Sequence, residues 1–248
     1  MRLYRLFNQS SLAIASMTLA AVFANPVAAQ TTSALDSVMN AKLIKIAVPT
    51  DFPPYGFVGT DLKPQGLDVD TANYIGQKLG VEVELVPVTS ANRIPYLQTK
   101  RADLVISTLG KNAERQKVID FTVAYSPFFQ AIFGPKSIKV TEFKDLAGKS
   151  ISVTRGAIED QELTKVAPAG SDIKRFEDNN ATVSAYSAGQ VDLIATGVSV
   201  AENMIQRNPS KGTEYKILLK DSPNFIGVAK GEDALRLKVN EIILMGIA

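Results

Sequence analysis

The chain has 248 residues, with 27 lysines and arginines against 25 acids and neither cysteine nor histidine. The near balance of charge argues against a nucleic-acid partner, because such binding rests on a basic excess. Without histidine or cysteine, the usual zinc sets, His-based catalytic triads and disulfides are excluded.

Arg2 and Arg5 precede a mostly apolar run over residues 12–23, and Val27-Ala28-Ala29 follow. This is the pattern of a secretory signal peptide over residues 1–29, cleaved before Gln30; the run is too short to span a membrane comfortably. Cleavage removes both arginines and no acid, so the 27 basic residues fall to 25, equal to the acids. With no cysteine there is no site for a lipid anchor, and the expected location is the periplasm.

Residues 30–42 read as a mobile leader. Residues 43–48 form an apolar strand. Asp51-Phe52-Pro53-Pro54-Tyr55-Gly56-Phe57 reads as a loop, since adjacent prolines withhold N–H groups from helix and sheet. Residues 68–79 read as a helix with Val69, Ala72, Ile75 and Leu79 on one face and Gly80 as its stop. Asp68 and Asp70 fall in its first turn, where the dipole favours acids, and read as structural. A strand at 81–86, a helix around 91–99 and a strand at 103–107 complete a repeated β-α-β pattern, which points to an α/β fold with parallel sheets.

The last of these strands runs into Ser107-Thr108-Leu109-Gly110, followed by Arg115. Hydroxyls, a glycine N–H and a guanidinium so close in sequence suit a carboxylate, which accepts about four hydrogen bonds. The order then repeats: a strand at 149–154 ending in Arg155-Gly156, a helix at 158–166, a strand at 173–176, a helix at 182–187 and a strand at 191–195. Ala102-Asp103-Leu104-Val105-Ile106-Ser107-Thr108 and Val191-Asp192-Leu193-Ile194-Ala195-Thr196-Gly197 are locally alike, each an apolar strand opened by Asp. A strand at 128–135 is expected to leave the first unit, and one at 225–229 to return to it. The expected organisation is therefore a lobe of residues 43–134 plus 225–248 and a second lobe of residues 135–224. Two crossings form the hinge, and strand ends and helix starts face the cleft, as open α/β sheets place their ligands.

Several stretches, in this order, resemble the extracellular solute-binding proteins of family 3, the polar amino-acid-binding components of ABC importers. They are Asp51-Phe52-Pro53-Pro54-Tyr55, Gly66-Leu67-Asp68-Val69-Asp70, Asp103 to Gly110 with Glu114-Arg115 and Ile119-Asp120-Phe121-Thr122, and Leu146-Ala147-Gly148-Lys149. The resemblance implies a periplasmic-binding-protein type II fold, no cofactor, and a monomer that hands a small carboxylate-bearing solute to a membrane permease. That solute would be a polar or acidic amino acid. It also implies that Tyr55 stacks on the ligand with Phe57 nearby, and that Ser107, Thr108, Gly110 and Arg115 hold its carboxylate. Thr154, Gly156, Ala157 and Ile158 would add contacts from the second lobe. Relatives often carry threonine at the Ala157 or Ile158 position, and an aspartate for the ligand's ammonium where this chain has Gly197. Asp51 or Glu159 is then left to hold an ammonium. Arg93, and Arg155 unless it lies at the surface, would add guanidiniums suited to a second carboxylate. Relatives continue beyond the helix begun at Asp233, so a shortened and less stable C-terminal end of the first lobe is expected. The alternative is an enzyme on the same scaffold, a cyclohexadienyl dehydratase acting on prephenate or arogenate, with Glu159 or Asp51 as its acid.

Overall fold

A computed structural model describes residues 32–246; the signal peptide expected at residues 1–29 lies outside them. The chain runs α1 (Ala34–Ala41), β1 (Leu43–Val48), β2 (Asp51–Phe52), β3 (Gly56–Val58), β4 (Pro64–Gln65), α2 (Leu67–Leu79) and β5 (Glu82–Pro87). It continues through α3 (Arg93–Gln98), β6 (Leu104–Gly110), α4 (Ala113–Val118), β7 (Ile119–Ser126) and β8 (Phe129–Pro135). Then come β9 (Ser150–Thr154), α5 (Ile158–Val166), β10 (Asp172–Phe176), α6 (Asn179–Ser187), β11 (Leu193–Gly197) and α7 (Val198–Arg207). The chain closes with β12 (Thr213–Asp221), β13 (Asn224–Ala229) and α8 (Asp233–Gly246).

Two five-stranded sheets, ordered β5-β1-β6-β13-β7 and β10-β9-β11-β8-β12, form the cores of two lobes. Each has three parallel strands followed by antiparallel ones. The two look-alike segments become β6 and β11, third in their sheets, and their aspartates do the same work. Asp103 accepts the backbone N–H of Lys45 at 2.8 Å, and Asp192 accepts that of Ser150 at 2.8 Å. Each carboxylate thus ties the start of the third strand to its parallel neighbour, β1 in one sheet and β9 in the other.

In the first sheet, Ile44, Ile46 and Val48 of β1, Leu104 and Ile106 of β6, and Ile226 and Val228 of β13 point to one face. They meet Val69, Ala72, Ile75 and Leu79 of α2, the face expected from the helical spacing, and Leu235, Val239, Ile242 and Ile243 of α8. The alternate residues Ala47, Val105 and Leu109 pack on the other face with Leu97 and Ile119. Strands covered on both faces read as nearly continuous apolar runs, and each fully buried Ile or Leu contributes about 1.5–3 kcal/mol. The second sheet is built alike, with Ile151, Val153 and Leu193 on one side and Phe133, Ile194 and Tyr186 on the other.

Three expectations change. Residues 34–41 of the leader form α1, capped by Ser33, which accepts the Asp36 N–H, with Val38 buried in the first core. The loop at 51–57 carries a small β2-β3-β4 sheet; its proline pair falls in the turn between β2 and β3, where no ladder N–H is required. The strand expected to leave the first lobe, β8, falls within that lobe's expected residues 43–134 but pairs with β11 and β12 in the second sheet, so the first crossing falls at residues 126–129. The return crossing at residues 221–224 runs beside it, with the Ser222 N–H donating to the Phe128 carbonyl at 3.1 Å.

Candidate functional site

A narrow pocket lies between the lobes. Pro49, Phe52, Val88, Ser90, Arg93, Ser107 and Thr108 line it from the first lobe; Thr154, Ala157, Glu159, Asn179, Ala195 and Thr196 line it from the second. These residues sit where β1, β5, β6, β9 and β11 end and where α3, α5 and α6 begin. Helix starts leave N–H groups unpaired by the helix itself, and acids meet them here: Glu159 lies in the first turn of α5, and Asp178 caps α6.

On the first-lobe wall, Thr108 has a φ of 42°, the left-handed region that a β-branched residue adopts only under constraint. Two buried charges supply the constraint. The Asp68 carboxylate accepts the Thr108 N–H at 2.9 Å and the Tyr125 hydroxyl at 2.6 Å. The Arg93 guanidinium donates to the carbonyls of Ser107 at 2.6 Å and Thr108 at 3.3 Å, while its Nε donates to Ser90. Burial raises the Asp68 carboxyl to about 6, against the lowering effect of Tyr125, Thr108 and Arg93. Burial also lowers the Arg93 pKa, with Glu159 and Asp68 opposing it.

On the second-lobe wall, Thr154 donates through Oγ1 to Asn179 Oδ1 at 2.8 Å and shares a hydrogen bond with Thr182. Glu159, in the first turn of α5, is buried and lines the pocket. Burial raises its pKa, opposed by its own backbone N–H and by Arg93 and Arg115. The pocket therefore receives a guanidinium from one lobe and a carboxylate from the other. Among the described residues, no group of three His, Cys, Asp or Glu side chains could hold a metal ion.

Of the residues singled out from sequence, Arg93, Ser107, Thr108, Thr154, Ala157 and Glu159 line this pocket, and Arg115 and Gly156 line a second cavity that shares Ser90 and Arg93 with it. Arg115, expected in the carboxylate clamp, is buried and bridges the lobes: it donates to the Gly110 carbonyl at 2.7 Å and the Gly156 carbonyl at 2.9 Å. Burial and the nearby Arg93 lower its pKa to about 9, so it stays charged at neutral pH. Gly110 and Ile158 mark the same seam; a Cβ on Gly110 would come within 3.2 Å of Ile158. Gly156, with φ 73°, lies so close to the first lobe that a Cβ would sit 2.9 Å from Ala91 Cα. Asp51 turns away from the pocket to the start of α6, accepting the Asn179 N–H at 2.6 Å and its side-chain amide at 3.0 Å.

Tyr55 packs in a cluster with Phe52, Phe128 and Val200 and donates to Ser199 Oγ at 3.3 Å. Phe52, two prolines earlier, is the aromatic that lines the pocket. Phe57 is half-buried in β3, paired with Asp51 and Gln65. Gly197 lies under the Phe128 ring, 2.3 Å from where its Cβ would be, so that ring occupies the space an aspartate would need. Arg155 is an exposed residue paired with Glu177 at 2.8 Å.

Sequence reasoning missed Phe52, Ser90, Asn179 and Thr196 as pocket residues, and Asp68 as the support of Thr108. One signal was available: Asp178 has the character of an N-cap, which starts α6 at Asn179 rather than at Thr182 and sets Asn179 on the cleft.

Two similarly built α/β lobes, joined by two crossings around a polar, charge-lined cleft, define a two-lobed solute-binding protein of the periplasmic type II fold. Comparison with known proteins agrees: the sequence profile of the bacterial extracellular solute-binding proteins, family 3, matches residues 44–245, and the chain belongs to that family. It is 30% identical over 207 residues to a glutamine-binding protein of Geobacillus stearothermophilus, covering 80% of this chain and 77% of that one. It is 26% identical over 211 residues to an L-arginine-binding protein of Pseudomonas aeruginosa, covering 82% of each. Among solved structures, the arginine-bound truncated arginine-binding protein of T. maritima matches with a TM-score of 0.80 at 27% identity, covering 86% of this chain and all of that one. An ancestral amino-acid-binding protein described as a precursor of cyclohexadienyl dehydratase matches with a TM-score of 0.76 at 27% identity, covering 86% and 93%. Among the described residues, no helix is long and apolar enough to cross a membrane.

Proposed function

We propose that this protein is an exported, monomeric periplasmic receptor that captures a free α-amino acid with a polar, uncharged side chain and delivers it to the permease of an ABC importer. The observation that carries this reading is the pairing of Arg93 with Glu159, from opposite lobes, in one pocket. A zwitterion matches that pair, its carboxylate toward Arg93 and the Thr108 loop and its ammonium toward Glu159. The charge count supports an uncharged side chain. Arg93 and Glu159 are the two charged residues that line the pocket, one of each sign, so it is balanced before a ligand enters. A neutral zwitterion keeps that balance, whereas glutamate or aspartate adds a buried charge with no new partner. Ser90, Thr154, Asn179 and Thr196 supply hydroxyl and amide groups for a polar side chain. The glutamine-binding relative is consistent with this class.

Titration calorimetry against the standard amino acids and against dicarboxylic acids without an amino group is the test. The expected result is tight binding of one or a few neutral polar amino acids. Preference for glutamate over glutamine, or for acids lacking the amino group, would overturn it.

One observation favours a second reading. Glu159 is a buried carboxyl with a raised pKa beside an arginine, the setting of a general acid. A structural relative is described as a precursor of cyclohexadienyl dehydratase. Product formation from prephenate or arogenate, abolished by Glu159→Gln, would establish the enzyme.

A further inference from the structure

Helix α6 starts at Asn179 with Asp178 as its N-cap, and the Asp178 carboxylate accepts the Ala181 N–H at 2.7 Å. The Thr182 N–H is bonded within the helix, to the Asp178 carbonyl. The N–H groups of Asn179 and Asn180 remain, and both are taken by a residue of the other lobe. Asp51 Oδ2 accepts the Asn179 N–H at 2.6 Å and the Asn180 N–H at 3.4 Å. Asp51 Oδ1 accepts the Asn179 side-chain amide at 3.0 Å. The first turn of α6 is thus capped half from its own chain segment and half across the cleft. Those first-turn donors have no helical partner of their own, and an acid placed there also meets the positive end of the helix.

Asn179 carries the consequence into the pocket, which it lines. Asp51 accepts only, so the Asn179 amide must turn its NH₂ toward Asp51 and its carbonyl oxygen toward Thr154, whose hydroxyl donates to it at 2.8 Å. The carboxylate outside the pocket sets which end of an amide faces a group inside it.

We propose that Asp51 is a positioning residue: it completes the cap of α6 only when the lobes are closed, and so couples closure of the cleft to the orientation of Asn179. This rests on the reading of the pocket as the ligand site. Asp51 does not itself touch the ligand, so its removal weakens every ligand by the same factor. Ligand charge must be varied in the test because the Asp51 charge also reaches Arg93.

Two measurements decide it. The first is amide hydrogen exchange of wild type, Asp51→Asn and Asp51→Ala in a saturating concentration of whichever of L-glutamine, L-glutamate and L-arginine wild type binds, which holds the lobes closed. Asn179 and Asn180 are expected to exchange about tenfold faster in Asp51→Ala, the effect of losing a cap, while Ala181, held by Asp178, is unchanged. Equal exchange at Asn179 and Asn180 in wild type and variants overturns the proposal. The second is stopped-flow and calorimetric binding of L-glutamine, L-glutamate and L-arginine. Every one that wild type binds is expected to weaken by a common factor of about ten, in the dissociation rate and not the association rate. A loss that follows ligand charge would make Asp51 a ligand contact and overturn the proposal. If wild type binds none of the three, both measurements use the amino acid that the calorimetric screen identifies.

Discussion

Replacing Asp68 with asparagine tests the buried support of the pocket loop. The Asp68 side chain is fully buried, and its pKa rises from 3.8 to about 6 because burial outweighs the donors around it. The sign follows from proton binding. Between those two values the folded chain holds the proton more tightly than the unfolded chain, so folding loses stability as the pH rises through the window. The penalty is absent below 3.8 and complete above about 6. The full shift corresponds to about 3 kcal/mol, of which roughly half is relieved between about pH 7.5 and about pH 5. Asparagine has the same shape and no charge; its oxygen still accepts the Thr108 N–H, and its NH₂ finds the Tyr125 oxygen once that hydroxyl turns. The assay is urea unfolding of wild type and Asp68→Asn at both pH values, followed by far-UV circular dichroism because the chain has no tryptophan. The other titrating groups act alike in both proteins and cancel in the difference. Wild type is expected to gain on the order of 1 kcal/mol on the variant as the solution is acidified. An identical pH dependence in the two proteins would refute the claim that Asp68 is buried as an anion.

Three further substitutions probe the cleft. Arg93→Ala should weaken amino-acid binding by about a hundredfold or more, the loss of a charge-assisted carboxylate contact, and calorimetry showing unchanged affinity would place the carboxylate elsewhere. Gly156→Ala puts a Cβ at φ 73° and 2.9 Å from Ala91 Cα, so the closed form should lose about 1–2 kcal/mol and ligand affinity should fall about tenfold without any ligand contact being removed. Gly197→Asp drives a side chain into the Phe128 ring and should destabilise the second lobe by about 2–4 kcal/mol in thermal unfolding. Adding Phe128→Ala to it should recover part of that loss, and a double variant no more stable than Gly197→Asp would count against the clash.

How much could be read in advance differs between the fold and the site. The alternating lobes, the apolar face of α2 and the kinship of β6 with β11 follow from local patterns of period two and 3.6, which a sequence displays directly. The edges of the lobes were less legible. β8 is an apolar strand that either sheet would accept, and only its pairing with β11 and β12 assigns it. The helix at 34–41 went unread because its apolar face is short and its burial depends on the distant α8 and β1.

The site divides along the same line. The sequence by itself determined which charged and hydroxyl residues stand near strand ends and helix starts, and so that they gather at a cleft between two lobes. Tertiary structure alone decided which of them face it. Arg93 and Arg115 are both buried arginines near the same loop, yet one lines the pocket and the other bridges two carbonyls across the seam. Tyr55 and Phe52 share one proline-rich segment and one cluster with Phe128 and Val200, yet only Phe52 lines the pocket. Asp51, an acid free in sequence to hold an ammonium, is claimed by unpaired N–H groups more than a hundred residues away. The physical reason is common to all three. A polar side chain goes to the partner that satisfies it in the closed form, and that partner is supplied by the other lobe, whose approach no local pattern encodes.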